Sequence, residues 1–243
     1  MSKDFFWIYG KHAVMAALKN NKRVVEEILC SNQCYKEVIS LFPEKASIVK
    51  LVEKGYIEKV LQSDVNGKKV HQGIAASIKI RQPSDIDSLQ FTHQAHSFIV
   101  ILDRIEDMQN IGAIIRSASA FSVDALLIEK RYEVLNSPII FKTSAGTVED
   151  VNIVSFGNLV AGIRKLKEMG YWVVGLKANA SHNLTDLKKY DKIAVILGAE
   201  GDGMRRLTEE NCDLCASIKM HSKCESLNVS VAAAIAMYEL NKR

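Results

Sequence analysis

Phe98-Ile99-Val100-Ile101-Leu102, followed after Asp103 and Asp107 by Asn110-Ile111-Gly112-Ala113-Ile114-Ile115-Arg116, is the stretch on which the fold turns. An almost unbroken apolar run of strand length, then a helical segment, is the signature of a strand buried on both faces and its crossover helix. The pattern recurs downstream, with apolar runs at 125–128, 152–156, 172–176, 193–197 and 214–220 alternating with helical stretches. This alternation predicts an α/β class with a parallel sheet, in which ligands sit at the carboxyl ends of the strands.

Upstream the pattern is shorter and less regular. A helix is expected over 10–20, a strand over 24–30, a helix over 44–54, and strands near Ile57 and over 74–80. Gln82-Pro83-Ser84-Asp85 and Gln90-Phe91-Thr92-His93-Gln94-Ala95-His96 are polar, punctuated and aperiodic, which reads as a connection between domains. The expected organisation is a small domain over 1–80, a linker over 81–96 and a larger domain over 97–243. His71, His93 and His96 fall in or near loops and read as solvated.

The chain has 243 residues, 48% of them hydrophobic, enough to bury a substantial core. No apolar run approaches the ~20 residues of a membrane span, and the first residues lack the pattern of a signal peptide, so a cytoplasmic protein without membrane contact is expected. Five irregularly spaced cysteines suit reduced thiols. Cys212-x-x-Cys215, with His221 and Cys224, has ligand types that suit zinc, but Cys215 lies in an alternating strand pattern whose face Cys212 need not share. The stronger reading is small buried hydrophobes and no metal. Residues 1–97 hold 14 Lys and Arg against 10 Asp and Glu, whereas the remainder holds 18 of each. The excess positive charge of the first part suits a phosphate-gripping surface, with Lys11, Lys19, Lys22, Arg23, Lys68, Lys69, Lys79 and Arg81 as candidates.

Two later segments carry chemistry. Ser226-Leu227-Asn228-Val229-Ser230 opens the helix Val231-Ala232-Ala233-Ala234-Ile235-Ala236-Met237, which has almost no polar face and so is expected to be buried on most sides, by its own domain or by a partner chain. The Ser and Asn side chains at its start either cap the helix or meet a ligand. Leu197-Gly198-Ala199-Glu200-Gly201-Asp202-Gly203 lies at a strand end, where glycines let a ligand approach backbone closely. Its glycine spacing is wrong for a dinucleotide loop, and Glu200 and Asp202 repel a pyrophosphate. The loop suits a ligand that is cationic and lacks phosphates, a description that S-adenosylmethionine fits.

Four segments together resemble the motifs of the SpoU/TrmH family of RNA ribose 2′-O-methyltransferases, in the SPOUT superfamily, with a layout closest to its RlmB group. They are Asn110-x-Gly112-Ala113-x-x-Arg116 preceded by Asp103 and Asp107, Lys142-Thr143-Ser144-Ala145-Gly146, Leu197-Gly198-Ala199-Glu200-Gly201-x-Gly203-Met204, and Ser226-Leu227-Asn228-Val229-Ser230. Tyr9-Gly10-Lys11-His12-Ala13-Val14 and Val70-His71-Gln72-Gly73-Ile74 resemble that group's N-terminal substrate-binding domain. The resemblance implies a small L30e-like α/β domain, then a SPOUT-type sheet whose C-terminal segment threads a deep trefoil knot, and a homodimer with the knotted regions facing each other. It implies S-adenosylmethionine held by Gly198, Ala199, Gly201 and the backbone around Ile218, Met220 and Leu227.

The same resemblance makes Arg116 the catalytic residue. A guanidinium is a poor base, so Arg116 is expected to fix a phosphate beside the reacting ribose or stabilise developing oxyanion charge. Asn110 and Asn228 are expected to orient Arg116 and the ribose, Ser226 to support the RNA backbone, and Glu200 to anchor the loop or pair with Arg116. The implied substrate is a guanosine in the peptidyl-transferase region of large-subunit ribosomal RNA; a transfer RNA, or RNA binding without catalysis during ribosome assembly, are the alternatives. The chain departs from the family pattern at Met108 and Lys219, where proline is usual, at Ser222 for glycine and at Cys224 for a branched apolar residue. The loop after 219 is therefore expected to have altered backbone preferences and weaker hold on the cofactor.

Overall fold

The computed structural model describes residues 4–61, 70–89, 95–130, 134–221 and 225–241. Two compact units emerge: Met1–Arg81 with Leu135–Glu149, and Gln82–Val134 with Asp150–Arg243. The first contains β1 (Phe5–Tyr9), α1 (Lys11–Lys19), β2 (Val25–Cys30), α2 (Asn32–Leu41), β3 (Val49–Leu51), α3 (Lys54–Leu61) and β4 (Ile74–Lys79). Its sheet has the order β1-β4-β2-β3, with β4 antiparallel to β1 and β2, and β3 parallel to β2.

The helix expected over 44–54 does not form. Pro43–Ile48 is a 3₁₀ helix, Val49–Leu51 pairs with β2, and the next α-helix begins at Lys54. β-Branched Val49 suits a pleated strand, and it finds Ile28 as its partner. Ile57, read as strand, lies on α3, where it and Leu61 one turn later form the buried stripe.

The second unit continues with β5 (Ser84–Asp85), β6 (Ser97–Asp103), α4 (Met108–Ala120) and β7 (Ala125–Glu129). The chain then passes through α5 (Pro138–Thr143), which belongs to the first unit, and returns as β8 (Ile153–Phe156) and α6 (Leu159–Glu168). It ends with β9 (Trp172–Leu176), β10 (His182–Asn183), β11 (Lys192–Gly198), α7 (Arg206–Glu210), β12 (Leu214–Ser217) and α8 (Val229–Leu240). The sheet order is β10-β12-β9-β11-β6-β7-β8-β5, every neighbouring pair parallel. The apolar runs of the sequence are these strands, except that the run over 214–220 stops being strand at Ser217. The order reverses at β6, since the chain steps outward to β7 and β8 and then crosses to the other side. That reversal is the place where open parallel sheets bind ligands.

Part of the stretch read as a linker is built into this unit. Ser84 and Asp85 pair with Val154 and Ser155, and Ile86 and Leu89 are buried in the core with Phe156, Leu159 and Ile163. The departure at Met108 is absorbed locally. Asp107 caps α4 by accepting from Gln109 N at 2.7 Å, so the helix starts without the proline. Among the described residues, no helix is long and apolar enough to cross a membrane.

Lys142-Thr143-Ser144-Ala145-Gly146 closes α5 inside the first unit. Phe141 packs edge-on to Phe6 with centroids 5.7 Å apart. Gly146 has φ +86 and lies so close to α1 that a Cβ there would meet the Ala16 Cβ at 2.5 Å and the His12 carbonyl at 2.8 Å. Three residues on, Glu149 forms a buried ion pair with Arg23 at 2.8 Å, the two side chains 1% and 5% exposed. Asn20 Nδ2 donates to the other Glu149 oxygen at 2.6 Å, and an Arg23 guanidinium N–H donates to the Lys79 carbonyl. Arg23 is therefore a structural cation and not the phosphate ligand expected; Lys11 is paired with Glu37, whereas Lys19, Lys22, Lys79 and Arg81 are exposed. His71 is buried, not solvated, and its Nδ1 accepts from Gly73 N at 3.1 Å. His96 is exposed beside Asp191, and Lys68, Lys69 and His93 lie outside the described residues.

Removing one member of a buried ion pair strands the other charge, which costs about 3–5 kcal/mol. Glu149→Ala is expected to destabilise the first unit by that amount, read in urea unfolding as the fall in midpoint multiplied by the m-value, and the double variant Arg23→Met with Glu149→Leu to recover most of it. Equal midpoints for Glu149→Ala and wild type would show that the pair carries no such weight.

Candidate functional site

At the carboxyl ends of β9, β11 and β12 lies a cavity of about 650 Å³. Its floor is the turn after β11. Ala199 and Gly203 exchange backbone hydrogen bonds at 3.1 and 2.9 Å, and Gly201 and Gly203 take φ +82 and +67, which favours glycine. The turn folds so tightly onto the strand end that a Cβ on Gly198 would sit 2.3 Å from the Gly203 carbonyl carbon and the Met204 nitrogen. Only glycine fits there.

The expected cofactor residues Gly198, Ala199, Gly201, Ile218, Met220 and Leu227 all line this cavity. So do Glu200, Ser226 and Asn228. Ile218 and Met220 reach it from irregular chain beyond the end of β12, with Lys219 between them exposed; Ser222 and Cys224 lie outside the described residues.

Asn228 caps its helix and also joins a polar cluster at the cavity. Its Oδ1 caps α8, accepting from Ser230 N at 2.9 Å and Ser230 Oγ at 2.6 Å. Its Nδ2 donates to Glu200 Oε1 at 2.6 Å and to Asn110 Oδ1 at 3.0 Å. Asn110, buried in the first turn of α4, donates to the same Glu200 oxygen at 3.1 Å, and Val229 N does so at 3.4 Å. Three segments, 118 residues apart between Asn110 and Asn228, thus meet on one carboxylate.

Arg116 does not join this cluster. It lies six residues, about 9 Å, further along α4 than Asn110. It is exposed, and no hydrogen bond or ion pair holds it among the described residues. The expected pairing of Glu200 with Arg116 is replaced by the pairing with the two asparagines, because a rotation of some 240° about the helix separates positions 110 and 116.

Several residues of the site escaped the sequence reading. Leu176, Lys177 and Ala178 line the cavity from the end of β9, and Lys177 is paired with Glu209, another lining residue, at 2.6 Å. The rule that ligands meet strand ends would have found the first three. Arg205, just beyond the glycine turn, gave no local signal. Its Nε forms an ion pair with Asp103 Oδ1 at 2.7 Å, its backbone N–H donates to Oδ2 at 3.0 Å, and its Nη2 reaches Glu129 at 2.6 Å. Asp103 is fully buried at the end of β6. The turn that floors the cavity is thereby pinned to the ends of β6 and β7. Cys212 is turned away from ligand chemistry: its Sγ donates to the Thr208 carbonyl, and burial pushes its thiol pKa up to about 12.

Comparison with known proteins agrees with this geometry. Residues 97–238 match the SpoU rRNA methylase family and residues 7–84 match the RNA 2′-O ribose methyltransferase substrate-binding family. The 23S rRNA (guanosine-2′-O-)-methyltransferase RlmB of Xylella fastidiosa is 33% identical over 98% of this chain and 97% of its own length. The RlmB of Vibrio vulnificus is 35% identical over 98% of this chain and 96% of its own. The crystal structure of the SpoU methyltransferase AviRb from Streptomyces viridochromogenes with the cofactor AdoMet superposes with a TM-score of 0.79 at 19% identity, covering 98% of this chain and 90% of that one. With a family model matched over more than half its length and relatives of 33–35% identity covering nearly all of it, the chain belongs to the SpoU rRNA methylase family.

Proposed function

We propose that this protein transfers the methyl group of S-adenosylmethionine to the ribose 2′-oxygen of a guanosine in large-subunit ribosomal RNA. The observation that carries the reading is the cavity at the ends of β9, β11 and β12, with Glu200 fixed at its edge by three N–H donors. The names of relatives covering nearly the whole chain supply the substrate class.

The residues suit this cofactor. Leu176, Ile218 and Leu227 offer apolar walls to a flat base, backbone around Gly198 offers polar atoms at close range, and Glu200 and Asp202 favour a cation, the charge of Glu209 being matched by Lys177. When bound there, S-adenosylmethionine supplies a methyl carbon activated by its positive sulfur. The chain's own part is alignment and charge. Asn110 and Asn228 hold Glu200 in one orientation, and together they present fixed polar groups to the ribose hydroxyl, so that orientation is set before reaction. Arg116, exposed and unpaired among the described residues, is free to grip the phosphate beside that ribose. Ser226 stands on the cavity rim, where it supports the RNA backbone.

The protein acts as a homodimer in this reading. Val231, Ile235 and Tyr238 form an exposed apolar stripe along α8, whose other side packs on α4. A second copy is the natural cover for such a stripe. In the same reading the enzyme acts in the cytoplasm, where it meets ribosomal RNA.

Labelled S-adenosylmethionine and unmodified large-subunit ribosomal RNA test the proposal, with transfer RNA as the control. One 2′-O-methylguanosine on the ribosomal RNA is expected, with Arg116→Ala and Asn110→Ala each lowering kcat about 100-fold without loss of fold. Transfer to tRNA alone would overturn the substrate, and no transfer with no cofactor binding would overturn the activity. At about 100 times its Kd the cofactor is expected to add about 2.7 kcal/mol to the stability of the second unit.

The Arg205 contacts generate a separate expectation. Arg205→Ala frees the glycine turn and strands buried Asp103, so KM for S-adenosylmethionine should rise at least about tenfold while KM for RNA stays unchanged. Unchanged cofactor KM in that variant would remove Arg205 from the site.

A further inference from the structure

Beside the cofactor cavity, on the same rim of the same sheet, lies a second and smaller cavity of about 180 Å³. The two flank one register pair, because Gly198 at the end of β11 stands opposite Asp103 at the end of β6. Adjacent strands lie about 4.8 Å apart, so the second cavity, at the ends of β6 and β7, is roughly two strands from the first. Leu102, Ile111 and Ile128 give it apolar walls. Arg104, Glu106 and Glu129 give it polar ones.

Two features of Arg104 set this place apart. Its backbone has φ +58, a conformation that side-chain-bearing residues rarely adopt and that persists where the surroundings impose it. Its Nε is buried with no hydrogen-bond partner among the described residues, and a buried unsatisfied donor is costly unless a ligand meets it. Glu129 is held in place from behind by Arg205, which also pins the floor of the cofactor cavity.

We infer that this cavity receives the base of the target nucleotide and selects guanine. The inference rests on the methyltransferase reading and names what decides its substrate. Enzymes that act on a nucleotide commonly swing it out of its stack and read the Watson–Crick edge in a pocket with apolar walls. The volume suits one planar base and not a whole nucleotide. Carboxylates exclude a phosphate and accept N–H groups. Guanine is the base whose Watson–Crick edge sets two neighbouring donors, N1–H and the 2-amino group, beside the O6 acceptor. Glu106 and Glu129 match the donors, and Arg104 matches O6. The ribose of a base seated there lies toward the Asn110, Glu200 and Asn228 cluster, because Ile111, next to Asn110, is a wall of the cavity.

The test uses the full-length protein and a large-subunit ribosomal RNA fragment spanning the modified nucleotide, made with guanosine or with inosine there. Inosine lacks only the 2-amino group. Wild type is expected to lose roughly 10- to 100-fold in kcat/KM on the inosine fragment, and Glu106→Ala to lose most of that discrimination. Arg104→Gly removes the donor and relaxes the φ +58 backbone, so its Tm should hold or rise while KM for the guanosine fragment rises about tenfold and cofactor binding stays as in wild type. A merely structural Arg104 would move Tm and leave the KM of RNA alone. Methylation by wild type with no inosine penalty, or with the same penalty in Glu106→Ala, would overturn the guanine pocket and leave the methyltransferase reading intact. No methylation of either fragment by wild type would overturn that reading and the pocket with it.

Discussion

One carboxylate oxygen organises the second unit's chemistry. Glu200 Oε1 accepts from Asn110, Asn228 and the Val229 backbone, and these belong to the first crossover helix, to the cap of the last helix and to that helix's first turn. A charged acceptor with three converging donors has little freedom to rotate, and each donor in turn is immobilised by it. The glycine turn, α4 and α8 therefore cannot shift independently. This is the kind of cross-link that makes a rim of loops behave as part of the rigid sheet beneath it.

The Arg205 clip extends the same logic sideways. A guanidinium with fixed fork geometry spans Asp103 and Glu129, carboxylates on neighbouring strands, while its own backbone N–H holds the fully buried Asp103. Burial of Asp103 is tolerable because the ion pair and the hydrogen bond meet it together. Through this residue the floor of the larger cavity and the wall of the smaller one share one support.

The first unit solves a different problem. It recruits residues 135–149 from the middle of the chain and fastens them with a buried ion pair, Arg23 to Glu149, and a glycine that fits against α1. Chain order suggested that Lys142-Thr143-Ser144-Ala145-Gly146 belonged with the methyltransferase sheet. The structure assigns it to packing in the other unit, since partners at sequence separations above a hundred leave no periodic trace.

Much of the fold was legible in the chain because its strands are buried on both faces. Near-continuous Val, Ile and Leu runs announce themselves, and the strands from 97 to 198 fall where those runs lie, except the short polar strand His182–Asn183, which carries no such run. The cavity residues were legible where local chemistry constrained them, as at Gly198, where backbone contact excludes any side chain, and at Asn228, where a helix needs a cap. The region 44–57 was not, because short amphipathic segments satisfy helix and strand periods alike until a neighbouring strand offers a partner. Only the tertiary structure decided that Glu200 pairs with two asparagines and not with Arg116, that Arg23 is buried, and that Arg205 joins two strand ends. Each depends on which distant groups share a small volume, and a carboxylate or guanidinium carries no mark in the sequence of the partner that desolvation will force upon it.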